Sequence, residues 1–249
     1  MPCSVGLLNS VPSPLLCEMF GHAGYDFVVL DLEHQLLSPD QLQHAIRACE
    51  LGNCEPWVRV PEVDEKLIGR VLDAGARGVV ISRLETAEQA ERAVKAAHFP
   101  PFGRRGITGG RVTGFGKTSL DDYIAWTRDA IRVVPMIESA AGVDALPAIL
   151  AVPGISLVME GALDLALDMG LGPQPMHEHV WDQLLRMAAY CDTAGIPFCA
   201  NPRDEKQRDY WFTRNPRWLL AGEDRGLLMT ALRDRRRALH VSSPTTASS

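Results

Sequence analysis

The chain has 249 residues, 46% of them hydrophobic and 22% charged, with a formal net charge of −6. That length suits one eightfold α/β barrel and buries a large core without disulfide staples, while a weakly acidic balance argues against nucleic acid or an anionic membrane as the main partner. The six cysteines form no CxxC pair, and the opening MPCSVGLLNSVPSP has neither a basic n-region nor a long apolar stretch, so buried thiols and a cytoplasmic protein are expected.

Short β-rich runs alternate with runs of helical period. Strands are expected at Ser4–Leu8, Phe27–Leu30, Trp57–Val60, Gly78–Ile81, Val133–Ile137, Ser156–Val158, Pro197–Cys199 and Trp218–Leu220. These runs are apolar on both faces, as parallel strands buried from both sides are. Between them, Ser38-Pro39-Asp40-Gln41 offers an N-cap, a proline at N1 and a glutamine at N3, ahead of Leu42, Ala45, Ile46 and Cys49 on one face. Asp64 opens a helix that stops at Gly75, Thr86-x-x-Gln89 is a second capping box, and Val180–Ala194 ends at Gly195. His177-Glu178-His179 reads as a solvated loop. About eight β-then-α units on short links predict a parallel sheet closed as a (β/α)8 TIM barrel. One domain is expected over residues 1–240, with no GxGxxG or Walker loop, and a disordered tail over Val241–Ser249.

In such barrels the chemistry lies at the C-terminal ends of the strands. The polar residues there are Asp31, Glu33 and His34, then Arg59 within the third strand, Ser82 and Arg83, Glu138, Glu160 and Asp164, and Asn201. Glu138 and Asp164 are candidate ligands for a hard divalent cation such as Mg²⁺ or Mn²⁺, which prefers carboxylate oxygens and water; the alternative is a pair of capping acids. Arg59, set in an apolar strand, is either a structural ion-pair partner or a cation beside a developing enolate oxygen. His34 is a candidate general base held by Asp31, or a helix-start histidine satisfied by backbone. The long link after the fourth strand, Pro100-Pro101-Phe102-Gly103-Arg104-Arg105-Gly106 followed by Thr108–Lys117, is glycine-rich and basic. On the catalytic face it would bind carboxylates or phosphates through Arg104, Arg105 or Arg111; otherwise it is a structural loop or a subunit contact.

Several motifs occur together and in order: Ala23-Gly24-Tyr25-Asp26 leading into Asp31-Leu32-Glu33-His34, then Val58-Arg59-Val60-Pro61, Leu72-Asp73-Ala74-Gly75-Ala76, Pro100–Gly106, Met136-Ile137-Glu138-Ser139 and Gly161-Ala162-Leu163-Asp164-Leu165. From about Pro12 to Leu228 the chain resembles the HpcH/HpaI aldolase family of the phosphoenolpyruvate/pyruvate barrel superfamily. The resemblance implies a class II aldolase acting on a pyruvate- or oxaloacetate-type 2-oxo acid. Glu138 and Asp164 would hold the divalent metal, Arg59 would stabilise the enolate, and His34 with Asp31 would move the proton. Gly161 and Ala162 would lie against the substrate. It also implies a homo-oligomer, a hexamer built as a trimer of dimers with exchanged C-terminal helices. Glu160-Gly161-Ala162-Leu163-Asp164 and the glycine-rich loop look more like a side branch found in siderophore pathways. Proteins of that branch condense oxaloacetate with acetyl-CoA as citrate synthases and work without a metal. Glu138, Asp164 and Arg59 would then hold oxaloacetate and enolise the acetyl group. A non-enzymatic barrel acting as a binding protein should have lost one of these residues, and Arg59, Glu138 and Asp164 are all present.

Overall fold

A computed structural model describes residues 3–11 and 13–239; the expected tail and His240 lie outside the described residues. In chain order it holds β1 (Ser4–Asn9), α1 (Pro14–His22), β2 (Phe27–Asp31), α2 (Pro39–Leu51), β3 (Glu55–Val60), α3 (Glu65–Asp73), β4 (Gly78–Ile81) and α4 (Ala87–Ala97). Then follow α5 (Leu120–Ala130), β5 (Arg132–Ile137), α6 (Ala140–Leu150), β6 (Val158–Glu160), α7 (Ala162–Asp168), α8 (Glu178–Ala194), β7 (Phe198–Ala200), α9 (Glu205–Thr213), β8 (Trp218–Glu223) and α10 (Asp224–Ala238). Each strand pairs in parallel with the next and β8 pairs with β1, closing the barrel.

Helix starts follow the sequence chemistry. Ser38 Oγ accepts from the Gln41 amide at 3.2 Å while Gln41 Oε1 accepts from the Ser38 amide at 2.9 Å, and Thr86 and Gln89 repeat the box. His177 is not loop: it caps α8, its Nδ1 accepting from the His179 amide at 3.2 Å. β6 begins two residues later than expected, because Ile155 makes only an isolated bridge to Val133, and Ser156 Oγ accepts from the Val133 amide. Regular pairing starts at Met136 and Met159, so Glu160 ends the strand rather than following it.

The barrel interior is plugged by Phe27, Val29, Trp57, Val80, Val134, Met136, Leu157, Met159, Cys199 and Leu220. Phe27 and Trp57 stack with ring centroids 4.1 Å apart. Gly6 and Gly78, which pair with those two residues across the sheet, leave the space: a Cβ at either would collide with the neighbouring ring. Below this plug Glu55 pairs with Arg132 and accepts from Trp57 Nε1; above it the barrel opens to the C-terminal mouth.

Candidate active site

Adjacent strands set the first part of the site. Asp31 and Arg59 are register partners at the ends of β2 and β3. Arg59 Nε donates to Asp31 Oδ1 at 2.9 Å and Nη2 to Oδ2 at 2.8 Å, while Nη1 lies 2.9 Å from Glu33 Oε2. Ser82 Oγ also donates to Glu33 Oε2, at 2.7 Å. Burial works against the Arg59 charge, but the hydrogen bonds and charge of Asp31, then the charges of Glu33 and Glu138, hold its pKa above the ordinary value. A buried guanidinium clamped on two sides is a fixed positive charge.

Glu138 follows the end of β5 beside it. Its Oε1 accepts from the Arg83 amide at 2.6 Å. Arg83 presents that amide from a left-handed backbone (φ 43°), and its side chain is pinned by Asp168 and Glu85. Burial pushes the Glu138 carboxyl up to about 7, against the Arg83 amide, with help from the charges of Glu33 and Asp164 and opposition from Arg59. Gly161 packs against Glu138 so closely that a Cβ there would collide with Oε2.

These residues open into a cavity of about 290 Å³ at the C-terminal mouth, lined by His34, Arg59, Met136, Glu138, Glu160, Gly161, Ala162, Leu163, Asp164, Asn201, Arg203, Glu223 and Arg225, among others. The Gly161 and Ala162 amides are already spent within the chain, on Ile137 O and on Glu160 Oε2, so both meet the cavity by position. No three His, Cys, Asp or Glu side chains among the described residues converge as a complete metal cage. The donor chemistry nevertheless fits a hard divalent ion. Glu138 and Asp164 have no ion-pair partner among the described residues, and their mutual repulsion raises the Glu138 pKa. Two carboxylates leave the other positions of such an ion to water and substrate oxygens.

The structure corrects two expectations. Asp31 does not hold the His34 ring: its carboxylate faces Arg59 and accepts from the Glu33 and His34 amides. The carboxylate nearest the ring is Glu33, with Oε2 3.8 Å from His34 Nε2, and the ring is 57% exposed. Nor does the glycine-rich loop reach this mouth within the chain. Arg104 pairs with Glu65 in the first turn of α3, and neither lines the cavity. Arg111 pairs with Glu50 in the last turn of α2 and donates to Ala74 O just past α3. Those helix ends lead into strand starts, so Arg111 lies at the end of the barrel opposite the cavity. Arg105, buried, pairs with Asp73.

Three charged lining residues went unread in the sequence. Arg203 clamps Glu160, Nη1 to Oε1 at 3.0 Å and Nη2 to Oε2 at 2.8 Å. Glu223 and Arg225 follow from β8 running three residues beyond its apolar run. Scanning a few residues past each apolar run would have found all three.

A sequence profile described as HpcH/HpaI aldolase/citrate lyase matches residues 5–209. The chain is 34% identical over 198 residues, 77% of its length and 75% of the relative's, to a hydroxypyruvate/pyruvate aldolase of Paraburkholderia phytofirmans. Its backbone is similar to the citrate synthase SbnG, with TM-score 0.87, 32% identity, and 95% of this chain and 93% of that chain covered. It is also similar to an HpcH/HpaI aldolase from Desulfitobacterium hafniense, with TM-score 0.91, 26% identity and coverage of 99% and 96%.

Proposed function

Since the chain belongs to the HpcH/HpaI aldolase/citrate lyase family, we propose that it makes or breaks a carbon–carbon bond next to the carbonyl of a pyruvate- or oxaloacetate-type 2-oxo acid. The observation that carries this is the presence of a fixed buried cation, Arg59, and the acids Glu138 and Asp164, which form no ion pair among the described residues, in one small cavity. Arg59 meets the oxygen that gains charge as the enolate forms, and its clamp to Asp31 and Glu33 holds it there before substrate arrives. Glu138 and Asp164 would hold a divalent metal, Mg²⁺ or Mn²⁺, which when bound supplies Lewis-acid stabilisation of substrate oxygens. His34, at the open side of the cavity and beside Glu33, moves the proton at the reacting carbon or its leaving oxygen, through water where the gap requires it. Gly161 and Ala162 form the wall against which the 2-oxo acid rests.

One observation favours a second reading. A carboxyl lifted to about 7 is about half protonated at neutral pH without any metal, and so can both give and take a proton there, and the likeness to a citrate synthase extends over 95% of the chain. On that reading oxaloacetate occupies the cavity and Glu138 exchanges a proton during enolisation of acetyl-CoA. The test is a paired assay on one preparation, with and without chelator. One arm follows pyruvate released from a 4-hydroxy-2-oxo acid, the other free CoA thiol from acetyl-CoA and oxaloacetate. Pyruvate release that chelator abolishes and Mg²⁺ or Mn²⁺ restores supports the aldolase. CoA release undiminished in chelator selects the synthase, and silence in both arms sinks the proposal.

The partner is a small 2-oxo acid, with acetyl-CoA added on the second reading, and a further copy of the chain in a hexamer. Among the described residues no helix is long and apolar enough to cross a membrane, and we place the protein in the cytoplasm.

A further inference from the structure

Of the three arginines that line the cavity, two have both terminal nitrogens bound to carboxylates of the chain. Arg59 spends Nε, Nη1 and Nη2 on Asp31 and Glu33, and Arg203 spends both terminal nitrogens on Glu160. Arg225 differs. Its Nε donates to Glu223 Oε2 at 2.9 Å, and its two terminal nitrogens have no partner among the described residues. The side chain is 58% exposed. Its root, by contrast, is fixed. The preceding Asp224 is wholly buried and clamps the end of β1, accepting from Asn9 Nδ2 at 2.6 Å, the Ser10 amide at 2.9 Å and the Val11 amide at 3.1 Å. Glu223 is fixed too, since its Oε1 accepts from the Gly226 amide at 2.8 Å to cap α10. Nε can therefore keep its bond to Glu223 while the outer edge of the fork, Nη1 and Nη2, stays open to a planar anion. β8 stands three strands round the barrel from β5, which sets Arg225 across the mouth from Glu138.

We propose that Arg225 is a specificity-determining residue: it binds a carboxylate at the end of the substrate remote from the 2-oxo acid group, so that the enzyme prefers dianionic to monoanionic 2-oxo acids. This rests on the 2-oxo acid reading of the cavity given above. With Arg59 beside the carbonyl and Arg203 closed off by Glu160, the free fork of Arg225 is the cation available to a second carboxylate. A cavity of about 290 Å³ suits a small dicarboxylate. A neutral methyl at the same end would leave the fork to water.

Oxaloacetate and 2-oxobutanoate test this, because they differ in a terminal carboxylate against a methyl. Both are titrated calorimetrically into the wild-type protein, Arg225→Met and Arg225→Lys, in Mg²⁺ and in chelator. A charge-assisted bidentate pair predicts that the wild type binds oxaloacetate about tenfold tighter. Arg225→Met should remove that preference while 2-oxobutanoate affinity stays within about twofold, and Arg225→Lys should keep part of it, because lysine retains the charge without the fork. Equal affinities in the wild type, or a Met variant that weakens both ligands alike, overturns the proposal and leaves the 2-oxo acid reading standing. If neither ligand binds the wild type in either condition, that reading falls and the proposal with it.

Discussion

Arg59 is flanked by Val58 and Val60, both fully buried, and an unpaired guanidinium there would be untenable. Its three nitrogens are committed to Asp31 and Glu33, so Arg59→Lys should keep the barrel but lose the geometry that serves the enolate. We expect turnover to fall ~10²-fold or more; near-normal turnover would assign Arg59 to structure alone. Glu138 supplies a pH prediction. Its folded pKa, about 7, is raised above an unfolded value near 4.5, so the native state holds the proton longer. Stability falls as pH rises from about 4.5 to 7, and above 7 the full cost persists, on the order of 3 kcal/mol. Glu138→Gln should abolish activity yet, in metal-free denaturant titrations, make the protein relatively more stable at pH 8 than at pH 5. An identical pH slope in both proteins would contradict the raised pKa. The acids and Arg59 were legible because each interrupts or follows an apolar run. Arg59's true partner was not, since Asp31 lies 28 residues earlier and meets it only through strand register.

At the scale of elements, the eight apolar runs and the capping boxes gave the barrel, because local periodicity and cap chemistry act within a few residues. The glycine-rich loop was misplaced for the opposite reason. Its composition reports an affinity for anions, but which end of the barrel it meets depends on the direction in which α4 leaves the sheet. Arg111 is a clasp between α2 and α3: Nη1 donates to Ala74 O at 3.3 Å and the guanidinium pairs with Glu50. A Cβ on Gly75 (φ 115°) would run into Nη1. Arg111→Ala should therefore cost about 1 kcal/mol in denaturant unfolding, modest because both partners are partly exposed, with KM for the 2-oxo acid unchanged. A raised KM at unchanged stability would return the loop to substrate binding.

At the scale of the whole molecule, α10 differs from the other helices in burying only one of its residues, Asp224. It touches β1 and β8 near its start, through Glu223 and Asp224, and from Arg225 onward nearly every residue is exposed. Leu228, Met229 and Leu232 fall on one side of it at helical spacing, ahead of Arg235 on the same side, and Leu232 is 66% exposed. A short apolar stripe that no other described residue covers is a surface that water disfavours, and self-association is the ordinary remedy. The basic residues Arg235, Arg236 and Arg237 in its last turn favour the helix dipole and hold the helix together where no barrel contact does. We therefore expect the protein to run as a homo-oligomer in size-exclusion chromatography with light scattering at micromolar concentration. Met229→Asp with Leu232→Asp should shift it to smaller species without changing the far-ultraviolet spectrum, because the two side chains contribute nothing to the barrel core. Arg225 stands in the first turn of the same helix and at the rim of the cavity, so freeing α10 should also weaken substrate binding more than it alters turnover. A wild-type protein that elutes as a monomer, or a double variant that still assembles, would show that the stripe on α10 is not what joins the copies.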